Sequence, residues 1–574
     1  MDTTITIKTD TSLIDESQRK AVDAILASPE GVSLIHGPPG TGKSHTAIEV
    51  ISSWLAGHGS YTPARDRILV TAYSNVAVDN MMHLLKARGI RSLRIGQGTQ
   101  MEAGSEGTLQ FEVNKRLAEM AARKASEEMN RADGGSLINA NAGAAPVNNA
   151  DVIDDILREC DVLCATCITV GVVMLSSLRF THVLMDEATQ ATEVSSLIPL
   201  IRGCRKLVLI GDHKQLPPTL LSQRAQELGL GLSLFDRLVR TDGTDYSMLQ
   251  RQYRMHPVIA DFASKHFYNG LLTSAVTAGE RPPPKGLDFK NPERPVAFVR
   301  VGGESEFLEV DSNGSKCNVR EAQAIVGLVL QLLRAGEITK SQIAVISPYS
   351  AQTRTIKGML IKAFAPQALD GLRIDTVDGF QGMEKEVVIV STVRSNGRGT
   401  VGFLRDYRRT NVLLTRARRA LVVYGNEHTL RKDETWRSWL EWYAEKVEGA
   451  GGGLEEATTT EQSPDKAPPK YSEDPEHPFW AVPKGDASAI EEEEGCSYVS
   501  QLDPASAANP KLTLCGYMVA TGHCPFIHAC NFAHSEEEVR ATREGRPFVP
   551  QVRRLHALGL QRGFDINVLR HRCQ

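Results

Sequence analysis

The sequence predicts an α/β protein with two doubly wound parallel-sheet domains, followed by a small C-terminal zinc-binding segment on a flexible linker. Short, continuous β-branched runs alternate with helical stretches up to about Trp442, which is typical of parallel strands buried on both faces. At 574 residues the chain is too long for one hydrophobic core. Near its end, four side chains suited to a metal ion fall within one short span: Cys515, Cys524, Cys530 and His534.

The apolar runs fall into two blocks, and each block is expected to form one domain. The first domain is predicted over residues 1–244 and the second over 245–446. Within the first, residues from about 97 to 150 are rich in Ala, Gly, Asn and Glu, which predicts an insertion with a helix near 109–129. Buried strands are predicted at 32–37, 67–72, 181–187, 206–212, 342–348, 386–393 and 419–425.

The remainder of the chain has a different composition. Residues 447–508 are rich in Gly, Pro, Thr and acidic side chains, which bury too little apolar surface to order themselves, so a disordered linker is predicted. Residues 509–536 carry the four metal-ligand side chains, and residues 537–574 form a tail with scattered arginines.

The overall composition is that of an ordinary soluble protein, with 41% hydrophobic and 23% charged residues. The net charge of −4 gives no global attraction to nucleic acid, so any polyanion site must come from local charge placement. No apolar run is long enough to span a membrane, and the first residues are polar rather than a signal peptide. We therefore expect a monomeric cytoplasmic protein with no membrane partner, with the nucleus left open as an alternative.

A phosphate-binding loop is predicted at "GPPGTGKS" (37–44), between an apolar strand and a helical run. Its glycines allow backbone N–H groups to surround phosphates, and the N-terminus of the following helix adds positive charge. Lys43 is expected to reach the β- and γ-phosphates of ATP, and Ser44 to bind Mg²⁺. The residues predicted to contact the nucleotide here are Gly37, Pro38, Pro39, Gly40, Thr41, Gly42, Lys43, Ser44 and His45.

Two carboxylates end the apolar strand in "VLMDEATQ", namely Asp186 and Glu187. The first is expected to hold Mg²⁺ through its water shell, and the second to orient the attacking water. An acidic turn at a strand end is the alternative, but a phosphate-binding loop in the same domain favours catalysis.

Four further stretches carry a resemblance to a known family: "LIGDHKQLPPT" (209–219), "LQRQYRMHP" (249–257), "DTVDGFQGMEKEVVIVSTVRS" (375–395) and "NVLLTRARRALVVYGN" (411–426). With the phosphate-binding loop they follow the order of motifs in a superfamily 1 helicase. Their residues resemble those of the up-frameshift-like branch, the nonsense-mediated-decay helicase and its relatives. The resemblance covers about residues 13–430. It implies two RecA-like domains that clasp ATP, and an ATP-dependent RNA helicase that moves 5′ to 3′ in mRNA surveillance or decay, with decay or translation factors as partners.

The resemblance also assigns roles to single residues around the nucleotide. It implies that Arg254 and Arg416 neutralise charge on the transferring phosphoryl group and that Gln215 senses the γ-phosphate. It further implies contacts of Gln18 and Tyr253 with the adenine and of Glu384 with the ribose. Each assignment has a structural alternative. Gln215 could be a turn residue, Gln18 a solvated helix residue, Tyr253 a packed core residue and Glu384 a surface residue.

The same resemblance indicates a face that binds single-stranded nucleic acid. In "TAYSNVAVDNM" (71–81), Ser74 and Asn75 are expected to hold the strand's backbone, with Thr376 across the cleft. Pro348 and Tyr349 of "SPYSAQ" are expected to form an apolar platform for a base. Local turns and caps are the alternative for the polar residues.

The C-terminal ligands are spaced C-x8-C-x5-C-x3-H, which suits tetrahedral Zn²⁺ bound by Cys515, Cys524, Cys530 and His534. The segment resembles the CCCH zinc fingers of the tristetraprolin type, which bind single-stranded RNA. That resemblance implies base stacking by Phe526 and Phe532, whereas the alternative is that both rings only cover the zinc.

The sequence therefore predicts an RNA helicase that uses ATP, Mg²⁺ and Zn²⁺. Fewer residues precede the phosphate-binding loop than in the nonsense-mediated-decay helicase, so a regulatory region and a small barrel are expected to be missing. This keeps open an ATP-switched RNA clamp that hydrolyses ATP without separating strands. A DNA helicase is a further alternative, because these motifs contact the backbone and do not settle the sugar type.

Overall fold

The computed structural model describes residues 14–454, except for residues 29, 59–66, 97–105, 133–148, 242, 304, 305, 307, 313 and 365–368. The described residues lie in one compact unit. The predicted linker, CCCH finger and tail lie outside the described residues. Within the described part, no helix has the length and apolar character needed to cross a bilayer.

The first half of the chain forms a seven-stranded sheet whose paired strands are all parallel. The strand order is β3-β4-β2-β5-β6-β1-β7, with β1 (Gly31–His36), β2 (Ile68–Ala72), β3 (Ser92–Arg94), β4 (Val162–Thr166), β5 (His182–Asp186), β6 (Lys206–Gly211) and β7 (Ser247–Met248). The strand β7 follows the predicted end of the first domain, so this sheet extends slightly past that boundary.

The helices between these strands cover both faces of the sheet. The helix predicted near 109–129 is part of α4, inside the predicted insertion. The helices are α1 (Glu16–Ala27), α2 (Lys43–Leu55), α3 (Asn75–Ala87), α4 (Leu109–Ala132), α5 (Asn149–Glu159), α6 (Glu193–Leu200), α7 (Gln223–Glu227) and α8 (Leu234–Val239).

The second half forms a five-stranded parallel sheet in the order β10-β16-β15-β13-β14. Two short two-stranded sheets accompany it, β8 with β9 and β11 with β12. The strands are β8 (Arg251–Gln252), β9 (Thr273–Ser274), β10 (Val296–Arg300), β11 (Glu309–Ser312), β12 (Ser315–Asn318), β13 (Ile343–Ser347), β14 (Arg373–Thr376), β15 (Lys385–Ser391) and β16 (Ala417–Gly425). The helices are α9 (Pro257–Phe267), α10 (Val319–Ala335), α11 (Ser350–Phe364), α12 (Tyr407–Leu414), α13 (Glu427–Leu430) and α14 (Glu434–Tyr443), which continues as a π-helical turn at Ala444–Glu448.

Each sheet is buried on both faces, which explains the continuous apolar runs in its strands. Val70 of β2 packs in the cluster with α1, α2 and α3, whereas its neighbour Leu69 packs in the cluster on the opposite face. Val388 and Ile389 of β15 divide between two clusters in the same way. The prediction of an α/β fold with parallel sheets is confirmed.

The parallel strands bring the ends of distant segments to one edge of each sheet. In the first sheet, the carboxyl ends of β1, β2, β5 and β6 lie at the same edge, since the register pairs His36 with Gly211 and Ala72 with Asp186. In the second sheet, Ser347 at the end of β13 pairs with Thr376 at the end of β14. Such carboxyl edges are the usual place of ligand sites in open α/β sheets.

Candidate nucleotide and nucleic-acid site

The phosphate-binding loop leaves β1 and ends in the first turn of α2. Gly40 and Gly42 both have φ of +75°, a left-handed conformation that side chains other than glycine rarely adopt. A Cβ atom on Gly40 would lie 2.7 Å from Cβ of Arg254, so the second half of the chain closely approaches the loop. Lys43 Nζ donates to the Gly37 carbonyl at 2.9 Å and therefore lies across the loop.

The residues predicted for Mg²⁺ come together beside this loop. Ser44 Oγ donates to Asp186 Oδ2 at 3.3 Å, and Lys43 Nζ lies 3.7 Å from Glu187 Oε1. Burial, followed by the charge of Glu187, raises the pKa of Asp186 above its ordinary value. A buried carboxylate with a raised pKa, next to a hydroxyl, is a donor set that fits a hard divalent cation.

The backbone of Glu187 is held in an uncommon conformation. Its φ is +49°, in the left-handed region, and its Oε2 accepts a hydrogen bond from Gln190 Nε2 at 3.0 Å. For a residue other than glycine such a conformation costs free energy and is frequent at functional sites. The turn fixes the Glu187 carboxylate next to Lys43, where the second catalytic carboxylate is predicted.

Gln18 and Tyr253 both lie against the phosphate-binding loop. Gln18 is buried and its Nε2 donates to the Thr41 carbonyl at 2.9 Å, so it is not a solvated helix glutamine. Tyr253 is 39% exposed, its backbone N–H donates to the Gly40 carbonyl, and its hydroxyl donates to Asp15 Oδ2 at 2.8 Å. The tyrosine therefore keeps an accessible ring beside the loop, as an adenine platform requires.

Arg416 extends from the second half into the first. It is 2% exposed, and its Nη2 donates to Gln215 Oε1 while its Nε donates to the Val412 carbonyl at 3.1 Å. Burial, followed by the charge of Arg254, lowers the pKa of Arg416 to about 10, so it is still a cation at neutral pH. A desolvated cation here is the group that the transfer of a phosphoryl group needs.

Arg254 lies beside Gly40 and is paired with the predicted ribose contact, Glu384. Its Nε donates to Glu384 Oε2, and its Nη1 donates to the Thr415 carbonyl at 3.1 Å. Burial opposes ionisation of Glu384, but Arg254 and Arg418 outweigh it and lower the pKa of that carboxyl. In this structure Glu384 thus holds Arg254 in place.

A buried polar network that was not predicted from the sequence joins the two halves. Asp212 Oδ1 lies 2.9 Å from His36 Nε2, and Asp212 Oδ2 accepts from Gln215 Nε2 at 2.6 Å and from the Tyr268 hydroxyl at 2.7 Å. Asn411 Nδ2 donates to that hydroxyl at 2.7 Å. Burial opposes ionisation of Asp212, but its partners, His36 first, lower its pKa below the usual range. The signal was present in the sequence, since both His36 and Asp212 are polar residues at the ends of apolar strands.

Ser74 and Asn75 lie at the carboxyl edge of the first sheet, directly after β2. Ser74 Oγ caps α3 by accepting the Ala77 N–H at 3.2 Å, which is the local role named as the alternative. Asn75 Oδ1 accepts from Arg94 Nη2 at 2.9 Å, and Arg94 forms a buried ion pair of 3.0 Å with Asp79. Both predicted contacts are therefore held in fixed positions at this edge.

Of the two residues predicted to form a base platform, Pro348 and Tyr349, the structure buries Tyr349. Thr376 ends β14, and its Oγ1 accepts the Gly379 N–H at 3.3 Å; the neighbouring Pro348 is half-buried. Tyr349 is only 4% exposed, because Phe403 packs over it at 5.5 Å between ring centroids and Arg394 Nη1 donates to its hydroxyl at 3.2 Å. A ring buried in this way has no free face for a base.

The predicted zinc ligands and finger rings lie outside the described residues: Cys515, Cys524, Cys530, His534, Phe526 and Phe532. Among the free cysteines that the structure describes, Cys164 lies in β4. Burial raises the pKa of that thiol. The Cys164 side chain therefore contributes to packing.

Two family models match most of the part that the structure describes. A model described as an AAA domain matches residues 13–142 and 147–223, and a second model with the same description matches residues 230–428. Together they include the phosphate-binding loop, the two carboxylates and both predicted arginines.

Several curated proteins are similar over about four fifths of the chain. Regulator of nonsense transcripts 1 of Dictyostelium discoideum is 36% identical over 468 residues, which are 79% of this chain and 34% of that protein. Its Arabidopsis thaliana homolog is 37% identical over 466 residues, 79% of this chain and 36% of that protein. ATP-dependent helicase upf1 of Schizosaccharomyces pombe is 33% identical over 477 residues, 80% of this chain and 50% of that protein. The chain thus spans between about a third and a half of these relatives.

The chain is also similar to a solved structure, that of the PRRSV helicase. The match covers 72% of this chain and 56% of the helicase chain, with 15% identity and a TM-score of 0.33.

Proposed function

We propose that this chain is an ATP-dependent RNA helicase or translocase that moves 5′ to 3′ and acts in mRNA surveillance or decay. The observation that supports it most is the meeting of two halves around one loop. Arg416 contacts Gln215, and Arg254 lies against Gly40. A motor of this kind needs both halves at the phosphates, so that a change in nucleotide can change their separation.

The positions of these residues support the roles proposed for them. Lys43 offers its charge to the β- and γ-phosphates, and Glu187, fixed beside it, orients the attacking water. Arg416 and Arg254 neutralise the charge that develops on the transferring group. Ser44 and Asp186 would hold Mg²⁺, which supplies positive charge to the phosphates when bound.

The network centred on Asp212 is a route by which nucleotide can affect the second half. Gln215 contacts both Asp212 and Arg416, while Tyr268 and Asn411 continue the network toward α12. A change at the γ-phosphate that shifts Gln215 would break contacts in both halves at once. This supports nucleotide-dependent movement rather than simple phosphate binding.

Single-stranded RNA is the proposed substrate, bound along the carboxyl edges by Ser74, Asn75 and Thr376. The names of similar proteins refer to nonsense transcripts, which are RNA. The CCCH segment favours RNA as well, because the fingers it resembles bind single strands. We propose that it holds Zn²⁺ and gives the motor a second RNA contact, which raises affinity through effective concentration.

The test is the ATPase rate with RNA and with DNA of matched sequence, followed by a strand-displacement assay. RNA-stimulated hydrolysis with displaced product is the expected result. Stimulation without product would instead indicate an ATP-switched clamp, and preference for DNA would indicate a DNA helicase. We further propose a cytoplasmic monomer whose protein partners are RNA-decay or translation factors; co-purification from cell extract before and after ribonuclease treatment tests those partners.

A further inference from the structure

The burial of Tyr349 raises the question of which side chain offers a ring at this edge. Phe403 is one of the exposed large hydrophobic side chains, at 56% exposed. Its ring packs on Tyr349 with an angle of 49° between the ring planes, and Tyr349 comes two residues after the end of β13. Phe403 therefore lies on the outside of the ring that was expected to receive a base.

The turn that carries Phe403 is firmly anchored. Phe403 lies in a single 3₁₀ turn, Gly402–Arg405. Leu404 of this turn and Val401, which precedes it, are both buried. Gly402 has φ of +57°, and a Cβ atom there would lie 2.6 Å from the Tyr349 hydroxyl and would meet the Arg394 guanidinium. The close approach of this turn to Tyr349 and Arg394 anchors the backbone that carries Phe403, which lowers the entropy that ordering the turn around a stacked base would cost.

A cation lies over one part of the Phe403 ring, which is still 56% exposed. The guanidinium carbon of Arg409 is 5.3 Å from the Phe403 ring centroid, and Arg409 Nη2 lies 3.3 Å from Asp378 Oδ1. Asp378 comes two residues after Thr376, the predicted backbone contact at the end of β14. An exposed ring, a guanidinium and the Thr376 hydroxyl that is predicted to contact the strand's backbone thus belong to the same edge of the second sheet.

We propose that Phe403 is the base platform of the second half: one nucleobase of the bound single strand stacks on its exposed face. A rigid aromatic side chain beside positive charge is the combination that single-strand-binding proteins use without regard to sequence. This inference rests on the proposed function, since it assumes that a single strand lies along this edge.

Three variants of the full chain, bound to a fluorescent oligo-U single strand at one fixed salt concentration, test the proposal. Phe403→Ala is expected to weaken binding by about 5- to 150-fold, because a stacked base contributes that much to affinity. Phe403→Tyr keeps the ring and is expected to restore affinity. Val32→Ala is the control, because Val32 is similarly exposed at 51% but lies at the opposite, amino end of β1.

A second measurement separates stacking from a general structural effect. A set of oligonucleotides carries one abasic nucleotide, moved along the strand one position at a time. The wild-type protein is expected to lose affinity when the abasic nucleotide occupies the place that stacks on Phe403. Phe403→Ala is expected to bind equally well whether or not that nucleotide has its base. Melting curves of each variant report its folding.

The outcomes distinguish this inference from the proposed function. If the wild-type protein binds no single-stranded RNA or DNA, the proposed function fails. If the wild-type protein binds but Phe403→Ala binds equally well, or stays as sensitive to the abasic position as the wild type, the platform is overturned and the proposed function stands.

Discussion

Replacement of Arg416 by alanine tests the link between the two halves most directly. The substitution removes a buried guanidinium that donates to Gln215 Oε1. Because the arginine's charge acts mainly on the transition state, hydrolysis is expected to fall by about 10³- to 10⁵-fold, or about 4–7 kcal/mol of activation free energy. The affinity for ATP is expected to stay within about tenfold.

The same change has a calculable effect on stability. Gln215 Oε1 loses its donor, whereas the Val412 carbonyl keeps the Thr415 N–H at 3.3 Å. One buried acceptor without a partner costs about 1–3 kcal/mol, so a lower melting temperature is expected for Arg416→Ala. Arg416→Lys keeps a cation but not the fork of donors, so we expect partial recovery of both stability and rate.

The assay is steady-state hydrolysis with saturating RNA, together with equilibrium binding of a fluorescent ATP analogue to the same samples. Melting curves show that each variant is folded at the assay temperature. The reasoning is refuted if Arg416→Ala hydrolyses ATP normally once nucleotide is saturating, because the arginine would then act only in binding.

Four other changes have defined outcomes. Glu187→Gln is expected to bind ATP but not hydrolyse it, since water orientation is lost while the Mg²⁺ contacts remain; near-normal turnover would contradict the assignment. Arg254→Ala is expected to lower hydrolysis by orders of magnitude with ATP affinity within about tenfold, measured as for Arg416. Burial raises the pKa of Glu321 from 4.5 to about 8, despite hydrogen bonds from Ser391 and Val393. A raised pKa stabilises the fold fully below about pH 4.5, and this contribution is lost as the pH rises to about 8, so Glu321→Gln should gain relative stability by up to about 1.4 kcal/mol per pH unit in that window. A stability difference that does not change with pH would show that Glu321 ionises normally. Cys524→Ser is expected to lower both zinc content and RNA affinity while basal hydrolysis persists, and unchanged RNA affinity after zinc loss would separate the finger from RNA binding.

The sequence was sufficient where a prediction depends on neighbouring residues in the chain. Continuous apolar runs predict buried strands, and all seven predicted strands occur within a residue or two of the observed strands. The phosphate-binding loop was equally clear, because its glycines, Lys43 and Ser44 are contiguous and their roles depend on one turn between a strand and a helix.

The sequence was less informative where a role depends on exposure. The resemblance of "SPYSAQ" predicts a platform at Pro348 and Tyr349, but a turn more than fifty residues later covers Tyr349 with Phe403. Nothing near Tyr349 in the sequence reports this, since burial is decided by the partner that packs on a side chain. Likewise, His36 and Asp212 are far apart along the chain and pair only because β1 and β6 are neighbours.

By itself, then, the sequence determined the fold class, the phosphate-binding loop, the acidic pair and the identity of the two arginines. Only the tertiary structure decided that Arg416 meets Gln215, that Arg254 lies against Gly40 and that Phe403 rather than Tyr349 is exposed. The physical reason is that local patterns fix backbone conformation and chemical type, whereas pairing and accessibility arise from contacts between segments that the fold brings together across more than fifty residues of chain.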